Sequence, residues 1–214
     1  MRNADVFIAS DNIYSPLGVT TAVNFSELTK GISGIRQHDD PAMSAQPFYA
    51  ALFEKRDGFM KDDSRTSGAY TRFEELLMAS IADALRNSGI DPADKKTVLI
   101  LSSTKGNISL LETAVNESPA GSRRDLAGPV PEPLKERIAL HTSARLLAEY
   151  FGFSNPPIVA SNACISGIMA ILTGFRLIRS GQYENAVIAG ADVISNFVLS
   201  GFQSFQAISS RPCR

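Results

Sequence analysis

Three short apolar runs, set among helical patterns, restrict this chain to an α/β fold built on a largely parallel sheet. The runs are residues 97–101 (TVLIL), 157–161 (PIVAS) and 186–193 (AVIAGADV). Continuous apolar runs of this length suit strands buried on both faces. In residues 70–88, Phe73, Leu76, Leu77, Ser80, Ile81, Ala84 and Leu85 fall on one face at helical spacing, and Gly89 supplies a stop. In residues 165–180, apolar side chains from Ile165 to Ile178 cover nearly every face, which predicts a helix buried inside the protein and ended by Gly181. A further helix is expected from about Leu134 or Thr142 to Phe151.

Nearer the N-terminus, residues 5–10 (DVFIAS) predict a short buried strand, Ser15-Pro16-Leu17-Gly18 a turn, and residues 20–30 a helix closed by Gly31. Residues 33–67 and 119–133 carry many turn residues and predict loops, and residues 102–107 predict a loop at a strand's carboxyl end. The alternation of strands and helices implies helices on both faces of one sheet, within one domain.

Composition narrows the function classes. The chain is 44% hydrophobic and 20% charged, with net charge −1. This is a globular balance, and it lacks the clustered positive charge of nucleic-acid binders. No apolar run approaches the roughly 20 residues of a membrane span. The first ten residues lack the layout of a secretory signal, so a cytoplasmic location without membrane contact is expected. Cys164 and Cys213 have neither CxxC spacing nor nearby histidines, which argues against zinc. A disulfide between them is disfavoured in the cytoplasm.

Cys164 stands where the run 157–161 gives way to the helix starting at Ile165. Most free cysteines are small packing residues. A helix N-terminus changes the chemistry, because its free amides and positive dipole end favour the thiolate. The same amides can receive the oxyanion formed when that thiolate attacks a carbonyl. Ala163, Ser166 and Gly167 are small enough for close approach of a substrate. A hydrolase-type nucleophile elbow needs glycines two before and two after the nucleophile, and Asn162 and Ser166 occupy those positions.

The segments NACISG, AGADV and GFQSFQAISSRPCR closely resemble the nucleophile region of beta-ketoacyl-acyl carrier protein synthases. VFIASDNIYSPLG and FSELTKGISGI resemble that family's opening strand, turn and helix. The likeness covers most of the chain and is weakest over residues 37–67. It implies a thiolase-like α/β fold, with residues 1–214 as an incomplete N-terminal domain that stops before the last strand of that half. On this likeness Cys164 is the acyl-accepting nucleophile, and its amide supplies half of the oxyanion hole. Ile108 lines the acyl pocket or approaches a partner subunit, and Phe202 gates the pocket. The implied partners are an acyl carrier protein bearing acyl and malonyl groups, and a second ketosynthase-like subunit in a homodimer or heterodimer. No cofactor or metal is implied.

The family's catalytic histidines and lysine lie in its C-terminal half. His38, expected in a solvated loop, and His141, expected at a helix start, match neither histidine motif. Two other readings stay open: a non-catalytic subunit that dimerises with a full-length partner, and a thiolase-like enzyme that uses no carrier protein. The Pro-Leu-Gly turn and the Phe-Gln-Ala-Ile-Ser segment favour the synthase branch over the thiolase one.

Overall fold

β3 (Thr97–Ser102) is the centre of the fold, with all six residues buried. The computed structural model describes residues 5–53, 70–116, 130–209 and 211–212. β3 pairs in parallel with β4 (Ile158–Ala160) on one side and with β5 (Asn185–Gly190) on the other. Val98 and Ile100 join Ala170 of α6 (Ser166–Arg179) in one core cluster. With period-2 alternation, Leu99 and Leu101 face the opposite side. There the sheet meets α2 (Arg72–Ser88) and α5 (Leu140–Phe151), whose Leu77, Met78, Ile81, Ala144 and Leu147 are buried. This arrangement belongs to the first of two compact units, which takes in residues up to Asn12, Phe59–Asn107 and Val130–Asp192.

The ends of α2 follow directly from its sequence. Thr71 and Glu74 form a reciprocal capping box, and Gly89 closes the helix in the left-handed region at φ 69°. α6 lies very close to the sheet because Gly174 has no side chain. A Cβ there would come within 2.9 Å of Ile188 Cδ1 and 3.2 Å of Ala186 Cβ. Gly174→Val should therefore destabilise the fold by about 2 kcal/mol through overpacking, read as a lower denaturant midpoint with unchanged slope.

The second unit comprises residues Ile13–Gly58, Ile108–Pro129 and Val193–Arg214. Its helix α1 (Thr21–Thr29) is capped by Thr20. The buried Asn24 donates to the carbonyls of Ile13, Gly18 and Thr20 at 2.8–2.9 Å, pinning the turn before the helix. β1 (Arg36–His38) and β2 (Phe48–Ala50) form an antiparallel ribbon. Phe48 and Ala50 pack with Leu199 of α7 (Asn196–Ser204). Glu112 of α3 (Ser109–Asn116) accepts the Asn196 and Phe197 amides at 3.3 and 2.7 Å, completing the α7 N-terminus.

Several expectations need correction. Residues 5–10 form no strand: Phe7 and Ile8 are more than 80% exposed, and no neighbouring strand offers them a ladder among the described residues. The segment is tied instead to α2, by Ser10 Oγ donating to the Ala84 carbonyl at 2.7 Å and Asn12 bonding Asp83 at 2.8 Å. Among the described residues the parallel sheet therefore has three strands. Residues 33–53 hold the β1–β2 ribbon rather than loops alone; the rest of that expected loop, residues 54–67, lies outside the described residues. Residues 119–129 of the other expected loop are likewise outside them, and Glu132 and Pro133 belong to a helix.

Of the two starts expected for the helix ending at Phe151, the later one agrees with α5, which begins at Leu140, and α4 (Glu132–Ile138) is a separate helix. Ala139 between them has ψ 128°, outside the helical region. The last strand ends at Gly190 rather than Val193. α6 is not buried all round: Ile168, Ile171 and Phe175 are 68%, 60% and 43% exposed, because the sheet covers one face only. No helix among the described residues is long and apolar enough to cross a membrane.

Candidate active site

Because β3, β4 and β5 run parallel, their carboxyl ends share one end of the sheet. Open α/β sheets bind ligands at that end. Ser102 pairs with Ala160 on one side and Gly190 on the other. Gly190 suits this close approach, since a Cβ would sit 3.1 Å from the Ser102 carbonyl oxygen, tighter than ordinary contact. Beyond these three residues lie the loop 103–107, the turn carrying Cys164, and Asp192.

Cys164 is the middle residue of a 3-10 turn, Ala163–Ile165, and α6 starts two residues later. The sequence pattern puts it at the helix start itself; the extra turn arises where Ala163 reverses the chain. Ala163 has φ 45°, a left-handed backbone that strains a residue bearing a Cβ by about 1–2 kcal/mol. Ser166 holds the turn closed. Its hydroxyl accepts the Asn162 amide at 2.7 Å and donates to the Ala163 carbonyl at 2.7 Å. The Cys164 thiol is free and exposed. A rigid turn that projects a free thiol from a strand end can present it to an electrophilic carbonyl.

Ile108 and Phe202 fall in the second unit, and Cys164 in the first. Ile108 is half-buried just ahead of α3, and its carbonyl accepts the Leu111 amide at 3.0 Å. Phe202 lies on α7 and is 47% exposed. His38 is no solvated loop residue: it lies in β1, with Nε2 3.0 Å from the Ala50 carbonyl and its ring stacked on Phe48. Ribbon pairing brings Ala50 and Phe48 to it. His141 is the exposed second residue of α5. Cys213 lies outside the described residues.

A buried polar cluster stands beside the loop 103–107, and periodicity gives no sign of it. Glu74 is fully buried, and the Nη1 and Nη2 groups of Arg137 donate to its carboxylate. Ser143 Oγ donates to Glu74 Oε1 at 2.7 Å, and the Thr71 amide to Oε2 at 2.9 Å. The Asn107 side-chain amide lies 3.1 Å from Glu74 Oε1, the Arg137 carbonyl and Ser143 Oγ. Thr71 Oγ1 donates to Asn107 Oδ1. Burial pushes the Glu74 carboxyl up, but the Arg137 fork and these donors outweigh it and hold the group at about 2. The one signal in the sequence is the Thr71-x-x-Glu74 capping spacing.

The chain spans about half the length of the curated relatives it matches. It is 26% identical to 3-oxoacyl-[acyl-carrier-protein] synthase 2 of Vibrio cholerae, over 99% of this chain and 51% of that protein. Among solved structures it is similar to the ishigamide ketosynthase/chain length factor, with TM-score 0.69 and 18% identity over 92% of this chain and 55% of that one. It is also similar to a type II polyketide synthase acyl-carrier protein in complex with its ketosynthase bound to the hexaketide, with TM-score 0.73 and 14% identity over 97% of this chain and 50% of that one. The parallel sheet between helices is the thiolase-like α/β fold of these ketosynthases. The family model described as beta-ketoacyl synthase, N-terminal domain, matches residues 3–214, and the chain belongs to that family.

Proposed function

We propose that residues 1–214 act as one ketosynthase N-terminal domain in which Cys164 accepts an acyl group from an acyl carrier protein. The Cys164 thiolate attacks the carbonyl carbon of the acyl thioester, forming a tetrahedral oxyanion. The carrier thiolate then leaves and takes up the proton released by Cys164, so one thioester replaces another. The Cys164 amide contributes to holding the oxyanion. On this reading Ile108 and Phe202 are substrate-binding residues. In the whole enzyme a malonyl group on the carrier protein loses carbon dioxide, and its carbanion attacks the acyl-Cys164 carbonyl and expels the thiolate. On this reading the protein serves fatty acid or polyketide synthesis in the cytoplasm.

The observation that carries the proposal is the free, exposed thiol on a strained turn at the carboxyl end of the parallel sheet. Incubation with an acyl-loaded carrier protein should raise the intact mass by one acyl group, mapped to Cys164 by peptide digestion. A mass unchanged at carrier excess would rule the acyl-transfer reading out.

A second reading, a non-catalytic subunit that pairs with a ketosynthase-like partner, has one observation of its own. β4 pairs on only one side among the described strands, and its three residues are half-buried. Such an edge can extend a sheet across a subunit boundary. The similarity to a ketosynthase/chain length factor fits this reading as well. Dimers measured by light scattering, from a protein that takes no acyl group, would favour it.

A further inference from the structure

The loop 103–107 is held far more firmly than a connection between a strand and a helix requires. On the β5 side, Ser103 Oγ donates to Asp192 Oδ1 at 3.2 Å, and Lys105 Nζ lies 3.5 Å from the same oxygen. Within the loop, the Gly106 amide donates to Ser103 Oγ at 3.2 Å. Gly106 has φ 51°, and a Cβ on it would stand 2.6 Å from Leu140 Cδ2 of α5, so the backbone there is pressed onto that helix. At the far end Asn107 is 1% exposed and enters the Glu74–Arg137 cluster with its donors and its acceptor engaged.

A buried ion pair is a poor way to gain stability, since apolar side chains of similar volume often serve as well or better. What the pair supplies is direction. The Arg137 fork fixes the Glu74 carboxylate, and the carboxylate fixes the Asn107 amide. Surface loops normally tolerate movement. This one leaves β3 at Ser102, beside Ala160, four residues before Cys164.

We propose that Asn107 is a positioning residue: anchored on the Glu74–Arg137 pair, it fixes the loop 103–107 as a rigid wall at the end of the sheet where Cys164 stands, and so governs the approach of an acyl donor to that thiol. The proposal rests on the acyl-transfer reading above. Asn107 touches no reacting atom. Its removal leaves the thiol present and reactive but lets the wall move, and a displacement of about 1 Å can slow a positioned reaction on the order of 100-fold.

The test compares the wild type with Asn107→Ala and with Arg137→Lys, which keeps the charge but loses the fork. Three quantities are read for each. They are amide hydrogen exchange over residues 103–107 against 97–102, the rate of Cys164 alkylation by iodoacetamide, and acyl transfer from an acyl-loaded carrier protein over a range of concentrations. In both variants, loop exchange should rise at least about 10-fold with β3 exchange unchanged. Acyl transfer per unit donor should fall at least about 10-fold, while alkylation by the small reagent stays within about twofold. The contrast between large donor and small reagent is what a merely structural role would not produce.

Acyl transfer within about twofold of wild type in both variants overturns the proposal. So does a parallel loss of transfer and alkylation, which would mean general damage. If circular dichroism shows Asn107→Ala unfolded, Arg137→Lys decides alone. If the wild type itself takes no acyl group, the acyl-transfer reading fails, and the exchange data then judge the wall: unchanged loop exchange rejects it, and loop-confined loosening upholds it.

Discussion

If the proposed acyl transfer is right, replacing Cys164 with alanine should abolish acyl loading, to below about one part in 10³ of the wild-type rate, and leave the fold intact. Removing the nucleophile removes the covalent step itself, and no neighbouring hydroxyl can replace a thiolate at neutral pH. The structural effect is small because the side chain is exposed and its thiol is free. Surface substitutions of this kind usually change stability by less than about 0.5 kcal/mol. The turn is held by Ser166 and the Asn162 and Ala163 backbone, all of which remain. Intact mass after incubation with acyl-carrier protein, paired with a thermal melt, reads both effects. Acylation persisting in Cys164→Ala would move the nucleophile elsewhere.

Glu74→Gln lowers stability by about 3 kcal/mol at neutral pH and flattens the acid limb of the pH–stability curve. In the folded state the Glu74 carboxyl lies at about 2, against an ordinary value of 4.5. A carboxyl depressed on folding stabilises above its unfolded value, and the contribution disappears as pH falls toward the folded one. The wild type should therefore lose stability between about pH 5 and pH 2, with a limiting slope of about 1.4 kcal/mol per pH unit. Gln keeps the shape but cannot balance Arg137, and breaking one side of a buried pair usually costs about 3–5 kcal/mol. Arg137 is 27% exposed and recovers part of its hydration, which favours the lower end. Urea titrations at stepwise lower pH measure both quantities. A curve for Glu74→Gln that keeps the wild-type acid slope would assign the acid sensitivity to other groups.

The sequence patterns that survive in the structure are those with both a period and a punctuation mark. α2 shows apolar spacing, a Thr-x-x-Glu start and a Gly stop, and it lies within two residues of its expected bounds. β3 is visible because a strand buried on both faces needs no alternation. α1 follows from its length and from Gly31, which takes φ 78°. α7 carries a start mark in its Ser195 cap, whose hydroxyl accepts the Val198 amide, but its next two amides are completed by Glu112, more than eighty residues earlier in the chain. The β1–β2 ribbon is hidden because three-residue strands are too short for alternation to be seen. Residues 5–10 show the opposite failure, for an apolar run says nothing about whether a neighbour is available to pair with it.

At the site, Cys164 stands out because a strand signal and a helix signal meet at it. The left-handed Ala163 does not, since alanine gives no hint of positive φ. Of the Asn107–Glu74–Arg137–Ser143 cluster, only the capping spacing from Thr71 to Glu74 shows in the sequence. Its members lie up to 69 positions apart, and only the fold makes them neighbours.

The order in which β3 finds its partners has a consequence for how the protein is made. Thr97 pairs with Asn185, and Ile100 with Ile158. At about 5–20 residues per second, the ribosome releases β3 some five to twenty seconds before β5 exists. Until β4 is made this mostly apolar strand has both edges open, and until β5 is made it keeps one of them, a pattern prone to pair with copies of itself. Parallel pairing over such separations is slow even once the chain is complete. Yield in a cell is therefore set by what shelters the nascent β3 as much as by the final stability. Slower translation after residue 102 lengthens that exposure, while a holdase acting on the nascent chain shortens it in effect.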